Sequence, residues 1–358
     1  MSMVIATSTS CAAGVPTCLA ITIPRWRKPP SVSGATATAS MVRPKSWSSW
    51  PSLSSIWWDM PIGRSFRRTA PMRRRRASRS QGLATGRRKI LVAKGAYHGA
   101  VPWCSPSLLG VTAEDRAHLG YFTFNDVESL EAAARAAGDD LAGILISAFR
   151  HDLGCDQELP TAEFARAARR ICDSKGAALL IDEVRAGFRL NAAGSWEGLG
   201  VRPDLSAWSK AIANGHALAA VTGADWLRRA ASQVFVTGSF WAGAVAMAAA
   251  VATLKIVRRD DVPTRLAQLG QTLRDGLDTR SRQFGLSIRQ SGPVQMPTLL
   301  FEADPDYRKG SAFCSAMLAR GVYFHPKHNM FLCAAHTEAD IAAALEAAEH
   351  GFATVAAL

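Results

Sequence analysis

Leu179-Leu180-Ile181-Asp182-Glu183-Val184-Arg185-Ala186-Gly187-Phe188-Arg189 is the stretch on which the fold turns. Its apolar start, from Ala177, reads as a buried strand that closes on a carboxylate, Asp182. Just ahead, Pro160 and Thr161 mark a helix start with Glu163 in the first turn, and the helical pattern runs to Lys175. Further upstream the same alternation recurs: a strand from Lys89 to Ala93, a helix from Asp126 to Ala137 and a strand from Leu141 to Phe149. Downstream, Asp204-Leu205-Ser206-Ala207-Trp208-Ser209-Lys210-Ala211-Ile212-Ala213-Asn214-Gly215 gives a short strand that runs into a lysine. Strands alternating with helices make βα units, so the expected class is α/β with a largely parallel sheet.

The chemistry lies where the strands end. Taken singly, an acid closing a buried strand and a lysine opening a helix are ordinary in α/β proteins. Here Gly95-Ala96-Tyr97-His98-Gly99-Ala100 also follows a strand, so an aromatic ring and an imidazole join Asp182 and Lys210 at the edge where open α/β sheets bind ligands. An amine can form a Schiff base with an aldehyde cofactor, and a carboxylate keeps a pyridine nitrogen protonated so that the ring accepts electrons. That pairing points to pyridoxal 5'-phosphate (PLP).

With these residues the chain resembles the class III, fold type I, PLP-dependent aminotransferases, and within them the glutamate-1-semialdehyde aminomutase-like branch. The resemblance rests on Thr85-Gly86-Arg87-Arg88-Lys89-Ile90, Tyr97-His98-Gly99, Asp182 to Arg189, Pro203-Asp204-Leu205 and Ser209 to Gly215. It continues through Gly238-Ser239-Phe240, Gly321-Val322-Tyr323-Phe324-His325-Pro326 and Ala335-His336-Thr337-Glu338-Ala339-Asp340-Ile341. The resemblance implies a Schiff base on Lys210, Asp182 on the pyridine nitrogen, Val184 on one ring face and Tyr97 on the other. It gives Ser239 a hydroxyl reaching the cofactor phosphate of a neighbouring subunit, with a helix cap as the structural alternative. His98 would orient Tyr97 or a substrate group. The implied protein is a homodimer that takes a small amino, keto or amino-aldehyde substrate and works as a transaminase or an aminomutase.

Charge is divided sharply along the chain. Residues 1–88 hold 13 Arg and 2 Lys against one acid, Asp59, whereas the other 270 residues hold 27 basic and 28 acidic side chains. The net charge of +13 therefore belongs to the first quarter. That quarter has no Glu, carries Ser- and Pro-rich runs such as Ser46-Trp47-Ser48-Ser49-Trp50-Pro51, contains Arg73-Arg74-Arg75-Arg76, and shows no sustained apolar period. Such a composition is expected to be of low order. Three readings apply to it: a transit peptide, a basic arm for nucleic acid, or a G+C-rich gene read in a shifted frame. We favour the last, because the resemblance begins abruptly at Ala84. The family's phosphate-binding turn, of Ser-Gly-x-Glu-Ala type, is then missing upstream, and an inactive homologue is the alternative to an active enzyme.

Three segments follow: 1–83, basic, of low order and expected to be a non-native stretch; 84–259, the PLP-binding large domain; and 260–358, a small α+β domain set off by Asp260-Asp261-Val262-Pro263. In the last, helices are expected near Pro263 to Phe284, Gly310 to Arg320 and Glu338 to His350, after a long helix from Ala242 to Arg258. No apolar run is long and charge-free enough to span a membrane. Seven cysteines (Cys11, Cys18, Cys104, Cys155, Cys172, Cys314, Cys333) lack metal spacing and fit reduced thiols in the cytoplasm, with Cys172 and Cys314 on apolar helix faces. His325 and His328 flank Pro326-Lys327 without further ligands, so no metal is expected. Glu183 is not paired with Asp182 in acid/base work, because adjacent strand residues point to opposite sides. Arg150 and Arg185 stand where relatives carry other residues, and each is a candidate for a substrate carboxylate as well as for an ordinary surface position.

Overall fold

Two strands, β4 (Leu141–Ser147) and β5 (Ala178–Asp182), are buried along their whole length and must lie inside a sheet covered on both faces. The computed structural model describes residues 65–67, 80–99, 102–104, 107–234 and 244–358. Within them, one sheet runs in the order β1 (Ser65–Arg67), β7 (Ala219–Gly223), β6 (Leu205–Trp208), β5, β4, β2 (Lys89–Ala93), β3 (Leu119–Phe122). Strands β2 to β6 pair in parallel; β7 runs antiparallel to β6, and β1 antiparallel to β7. The expected α/β architecture with a mainly parallel sheet is therefore present.

The helices start and stop where local chemistry allows. After α1 (80–85 as described) comes α2 (Val127–Ala137), whose Asp126 cap accepts from the Ser129 amide at 2.8 Å. The Thr161 hydroxyl caps α3 (Ala162–Lys175) by accepting from the Phe164 amide at 3.1 Å. Each such cap contributes about 1 kcal/mol. Gly176 ends α3 at φ +58°, a left-handed turn that glycine adopts without strain. Phe164, Ala165, Ala168 and Cys172 form its buried face, so Cys172 is core as expected, while Cys314 is only half-buried against the core.

Packing begins ahead of residue 84. In α1, Ser80 and Gln81 are buried, and the Gln81 side-chain amide donates to the Ala178 carbonyl at 3.4 Å. Gly143 on β4 makes this approach possible, since a Cβ there would lie 2.5 Å from the Ala178 oxygen and 2.9 Å from Gln81 Nε2. Gly143→Val is therefore expected to destabilise the protein by about 1–3 kcal/mol, read as a lower urea midpoint. An unchanged midpoint would show that α1 is not held by this contact.

Beyond the sheet lie α4 (Arg228–Gln233), α5 (Ala244–Arg259), α6 (Val262–Gln283), the antiparallel pair β8 (Ile288–Ser291) and β9 (Thr298–Phe301), α7 (Arg308–Ala319) and α8 (Glu338–Ala356). The break at Asp260-Asp261 falls between α5 and α6, with Asp261 at φ +40°. The largest buried cluster nevertheless joins Phe188, Trp208 and Ile212 to Leu266, Leu273, Phe313 and Phe352, so the core is continuous across that break. Helix α8 runs past His350 because Phe352 and Val355 extend its buried face. No helix among the described residues is long and apolar enough to cross a membrane.

Candidate active site

Strands β5 and β6 are neighbours, with Asp182 opposite Ala207, and this register brings Asp182 and Lys210 to one edge of the sheet. Lys210 opens a single 3-10 turn, Lys210–Ala213, rather than a full helix, and it sits at φ +51°. A left-handed φ costs a non-glycine residue about 1 kcal/mol or more and persists only where the surroundings impose it. Here the Ser209 hydroxyl donates to the Leu218 carbonyl at 2.9 Å, and the Trp208 indole donates to Thr222 Oγ1 at 2.9 Å.

The Asp182 carboxylate is buried and held on both oxygens. Oδ1 accepts from the Val184 amide at 3.1 Å, and Oδ2 lies 2.7 Å from His98 Nδ1. His98 is itself 1% exposed, and its backbone is tied to Cys104: the His98 amide donates to the Cys104 carbonyl at 3.4 Å, while Cys104 Sγ donates to the His98 carbonyl at 3.2 Å. The imidazole thus meets the Asp182 carboxylate through Nδ1, a contact that the sequence reading did not give it. Tyr97 is 44% exposed, so its ring is open to a stacking partner, and Val184 is buried beside Asp182.

The turn after β5 has a definite cause. The Gly187 amide donates to the Glu183 carbonyl at 2.8 Å, and a Cβ at Gly187 would lie 2.8 Å from the Trp208 ring. Phe188 stacks on Trp208 with centroids 4.9 Å apart. This packing folds the turn back over β6 and fixes Val184 and Arg185 next to Asp182. The Arg185 guanidinium is buried; Nη1 donates to Asn329 Oδ1 at 2.8 Å, and Nη2 lies 3.4 Å from His328 Nε2. Arg150, in contrast, is part-exposed and pairs with Glu158 at 3.0 Å.

Glu183 faces away from this site. Ser195 donates to it twice, from its amide at 2.7 Å and from its hydroxyl at 2.5 Å. Burial pushes the Glu183 carboxyl up to about 7 against the pull of those bonds. With the folded value raised, the folded chain binds the extra proton between pH ~4.5 and ~7, so this group's stabilising contribution is complete at low pH and is lost as pH rises towards 7. In Glu183→Gln that fall is expected to disappear from urea midpoints taken across the window, and an equal slope in both proteins would rule out Glu183 as its source.

Ser239 lies outside the described residues, as do residues 1–64 and 68–79 upstream of α1. Among the described residues no group of three or more His, Cys, Asp or Glu side chains is placed to hold a metal. His328 instead hydrogen-bonds through Nδ1 to the Asn329 carbonyl at 2.8 Å. Asn329, which holds Arg185, and Ser195, which holds Glu183 on the other side, are residues that sequence reasoning passed over. Ser195 follows Gly194 in an unremarked turn, and Asn329 stands 144 residues from Arg185, with no local pattern to link them.

A mainly parallel sheet with a carboxylate and an amine at adjacent strand ends is the fold type I architecture. The chain belongs to the class III aminotransferase family, whose profile matches residues 68–350. This match starts ahead of Ala84, so the boundary of the family resemblance lies earlier than the sequence reading sets it. An aminopentol aminotransferase from Sphingopyxis macrogoltabida is 49% identical over 271 residues, covering 76% of this chain and 64% of that protein. The chain thus spans just under two thirds of that relative's length. The FumI protein of Sphingopyxis sp. MTA144, solved in its PLP internal aldimine form, superposes with a TM-score of 0.83 at 44% identity, over 86% of this chain and 75% of that one. A glutamate-1-semialdehyde 2,1-aminomutase from Desulfatibacillum aliphaticivorans is 32% identical, covering 74% of this chain and 68% of that protein. The aminomutase branch is therefore a more distant likeness than the sequence reading made it. The donor set fits the family's cofactor: one buried carboxylate held by two donors, one amine on the next strand and one open aromatic ring are the groups that a pyridine aldehyde requires.

Proposed function

We propose that this chain transfers an amino group between a primary amine and a carbonyl compound, with PLP held through Lys210. The observation that carries the reading is Asp182, buried at the end of β5, gripped by His98 at 2.7 Å and one strand away from Lys210. When bound, PLP supplies a ring that accepts the electron pair left by the departing α-proton. Asp182 keeps the ring nitrogen protonated, and His98 holds Asp182 in place. Lys210 links the cofactor and moves the α-proton. Val184 and Tyr97 would cover the two ring faces, and Ser239 would reach the cofactor phosphate of a neighbouring subunit. The likeness to the aminopentol aminotransferase supports an aliphatic amino alcohol as donor.

The test is to add PLP to the purified chain, reduce with borohydride, locate the modified peptide by mass spectrometry and assay amino transfer from aminopentol. Cofactor fixed on Lys210 together with transfer to an added carbonyl acceptor is the expected result. Conversion of glutamate-1-semialdehyde without an external acceptor would move the assignment to an aminomutase. No uptake of PLP would leave an inactive homologue.

The reading includes a homodimer, so light scattering should give about twice the chain's 38.3 kDa, and a monomer mass would remove that part. For the basic segment, set at 1–83 by the sequence reading and cut back to the residues ahead of 68 where the family match begins, we keep the shifted-frame reading. Translating the coding DNA in all three frames should reveal an acid-containing stretch with a Ser-Gly-x-Glu-Ala-like turn, and its absence from every frame would make the segment native.

A further inference from the structure

The end of β4 carries polar groups to which the roles assigned above give no use. Ser147, its last residue, pairs in register with Asp182, and its buried hydroxyl has no hydrogen-bond partner among the described residues. Leaving a buried hydroxyl unpaired is costly, so this strand end is built for a group that the chain itself does not supply. Four residues further on stands His151, in a turn pinned from two sides. Asp152 Oδ2 lies 3.6 Å from where a Cβ would stand on Gly95, at the start of the Tyr97-His98 turn, and the Gly154 amide donates to the Lys327 carbonyl at 2.7 Å, next to His328. The imidazole packs edge-on against Phe149, with centroids 5.2 Å apart. Arg185, Asp182 and Lys210, from the ends of β5 and β6, all act on it, which puts it among the reacting groups. Burial, followed by Arg185, holds His151 well below its usual range, so it is neutral at pH 7. The imidazole hydrogen-bonds to its own backbone carbonyl, which occupies its single N–H and leaves the other ring nitrogen as an acceptor. Such an acceptor repels a carboxylate and is too weak a base to take the α-proton, but it suits a hydroxyl.

Resting on the PLP aminotransferase reading, we propose that His151 accepts a hydrogen bond from a hydroxyl on the carbon next to the amine-bearing carbon of the donor, so that the site selects 1,2-amino alcohols over plain amines. The position of that hydroxyl follows from the site. The amine reacts at Lys210, and Lys210 lies near enough to act on His151, so the hydroxyl is close to the amine. A carbon that bears both groups is unstable in water, and the adjacent carbon is the nearest that can carry the hydroxyl. His151 touches the substrate and sets specificity, while the α-proton stays with Lys210.

The experiment follows the visible band of the bound cofactor in the PLP-loaded chain as it reacts, without any acceptor, with 3-aminobutan-2-ol or with 2-aminobutane. The two amines share a four-carbon skeleton and differ in the hydroxyl. Wild type is expected to half-saturate at a lower concentration of the amino alcohol. In His151→Leu that concentration should rise about tenfold, with the limiting rate little changed, while the value for 2-aminobutane stays within about twofold of wild type. His151→Gln keeps an acceptor and should restore part of the preference. Equal shifts for the two amines, or a wild type without preference for the amino alcohol, would overturn the assignment. If His151→Leu does not fold, His151→Phe keeps the ring contact with Phe149, lacks the acceptor and carries the same comparison. A wild-type chain that takes up no PLP, or whose band neither amine changes, fails the parent reading, whereas a loaded, reactive chain whose His151 variants treat both amines alike fails only this one.

Discussion

Lys210→Ala is expected to lose amino transfer by a factor on the order of 10⁴, the upper range for removing a positioned acid/base group. The lysine is also assigned the covalent link, so the same variant should lose the visible absorbance of the bound cofactor and show no borohydride-fixed adduct. The backbone gives this prediction its structural basis. Lys210 holds φ +51° at the end of β6, in a turn secured by Ser209 and Trp208, and alanine can occupy that turn without disturbing the core. A Lys210→Ala chain should therefore fold with a urea midpoint close to wild type. If it keeps the adduct, the covalent link lies on another amine and the assignment of Lys210 fails.

Asp182→Ala should damage both stability and activity. Removing the carboxylate leaves His98, 1% exposed, without the group that meets its Nδ1 at 2.7 Å, and also removes the acceptor of the Val184 amide. Breaking one side of a buried polar pair costs about 2–5 kcal/mol, a large share of a typical domain's stability. Asp182→Asn preserves shape and still offers an oxygen, so it should recover most of the folding free energy. It lacks the negative charge that keeps a pyridine nitrogen protonated, and amino transfer should remain depressed by about 10²-fold or more. Urea unfolding and turnover measured on both variants separate the two roles. An Asn variant with full turnover would show that charge at this position is not needed.

Together these variants address the parts of the site that the sequence left uneven. Asp182 and Lys210 were legible because each closes a strand pattern, and a parallel sheet gathers such ends on one edge. His98 was visible as part of Tyr97-His98-Gly99, but its partner was not, because the contact spans 84 residues and depends on how the 95–99 turn is tied to Cys104. Arg185 was visible as an unusual residue; its distinction from Arg150 required Asn329, 144 residues away. Glu183 shows the limit from the other side. Alternation along the strand placed it away from Asp182, yet nothing local announced that Ser195 would hold it buried with its carboxyl near 7.

What the amino-acid sequence determined by itself was therefore periodic or terminal: the βα alternation, the helix starts at Asp126 and Thr161, the break at Asp260-Asp261, and the carboxylate and lysine that finish two strands. Hydrophobic period and capping chemistry act over a few residues and can be read from a few residues. The tertiary structure alone decided which side chains face one another across the chain. The grip of His98 on Asp182, the seating of Arg185 between Asn329 and His328, and the core that joins Trp208 to Phe313 and Phe352 across residue 260 arise only when distant segments pack. Burial fixes those contacts, because a polar group removed from water must find its partner wherever the fold brings one.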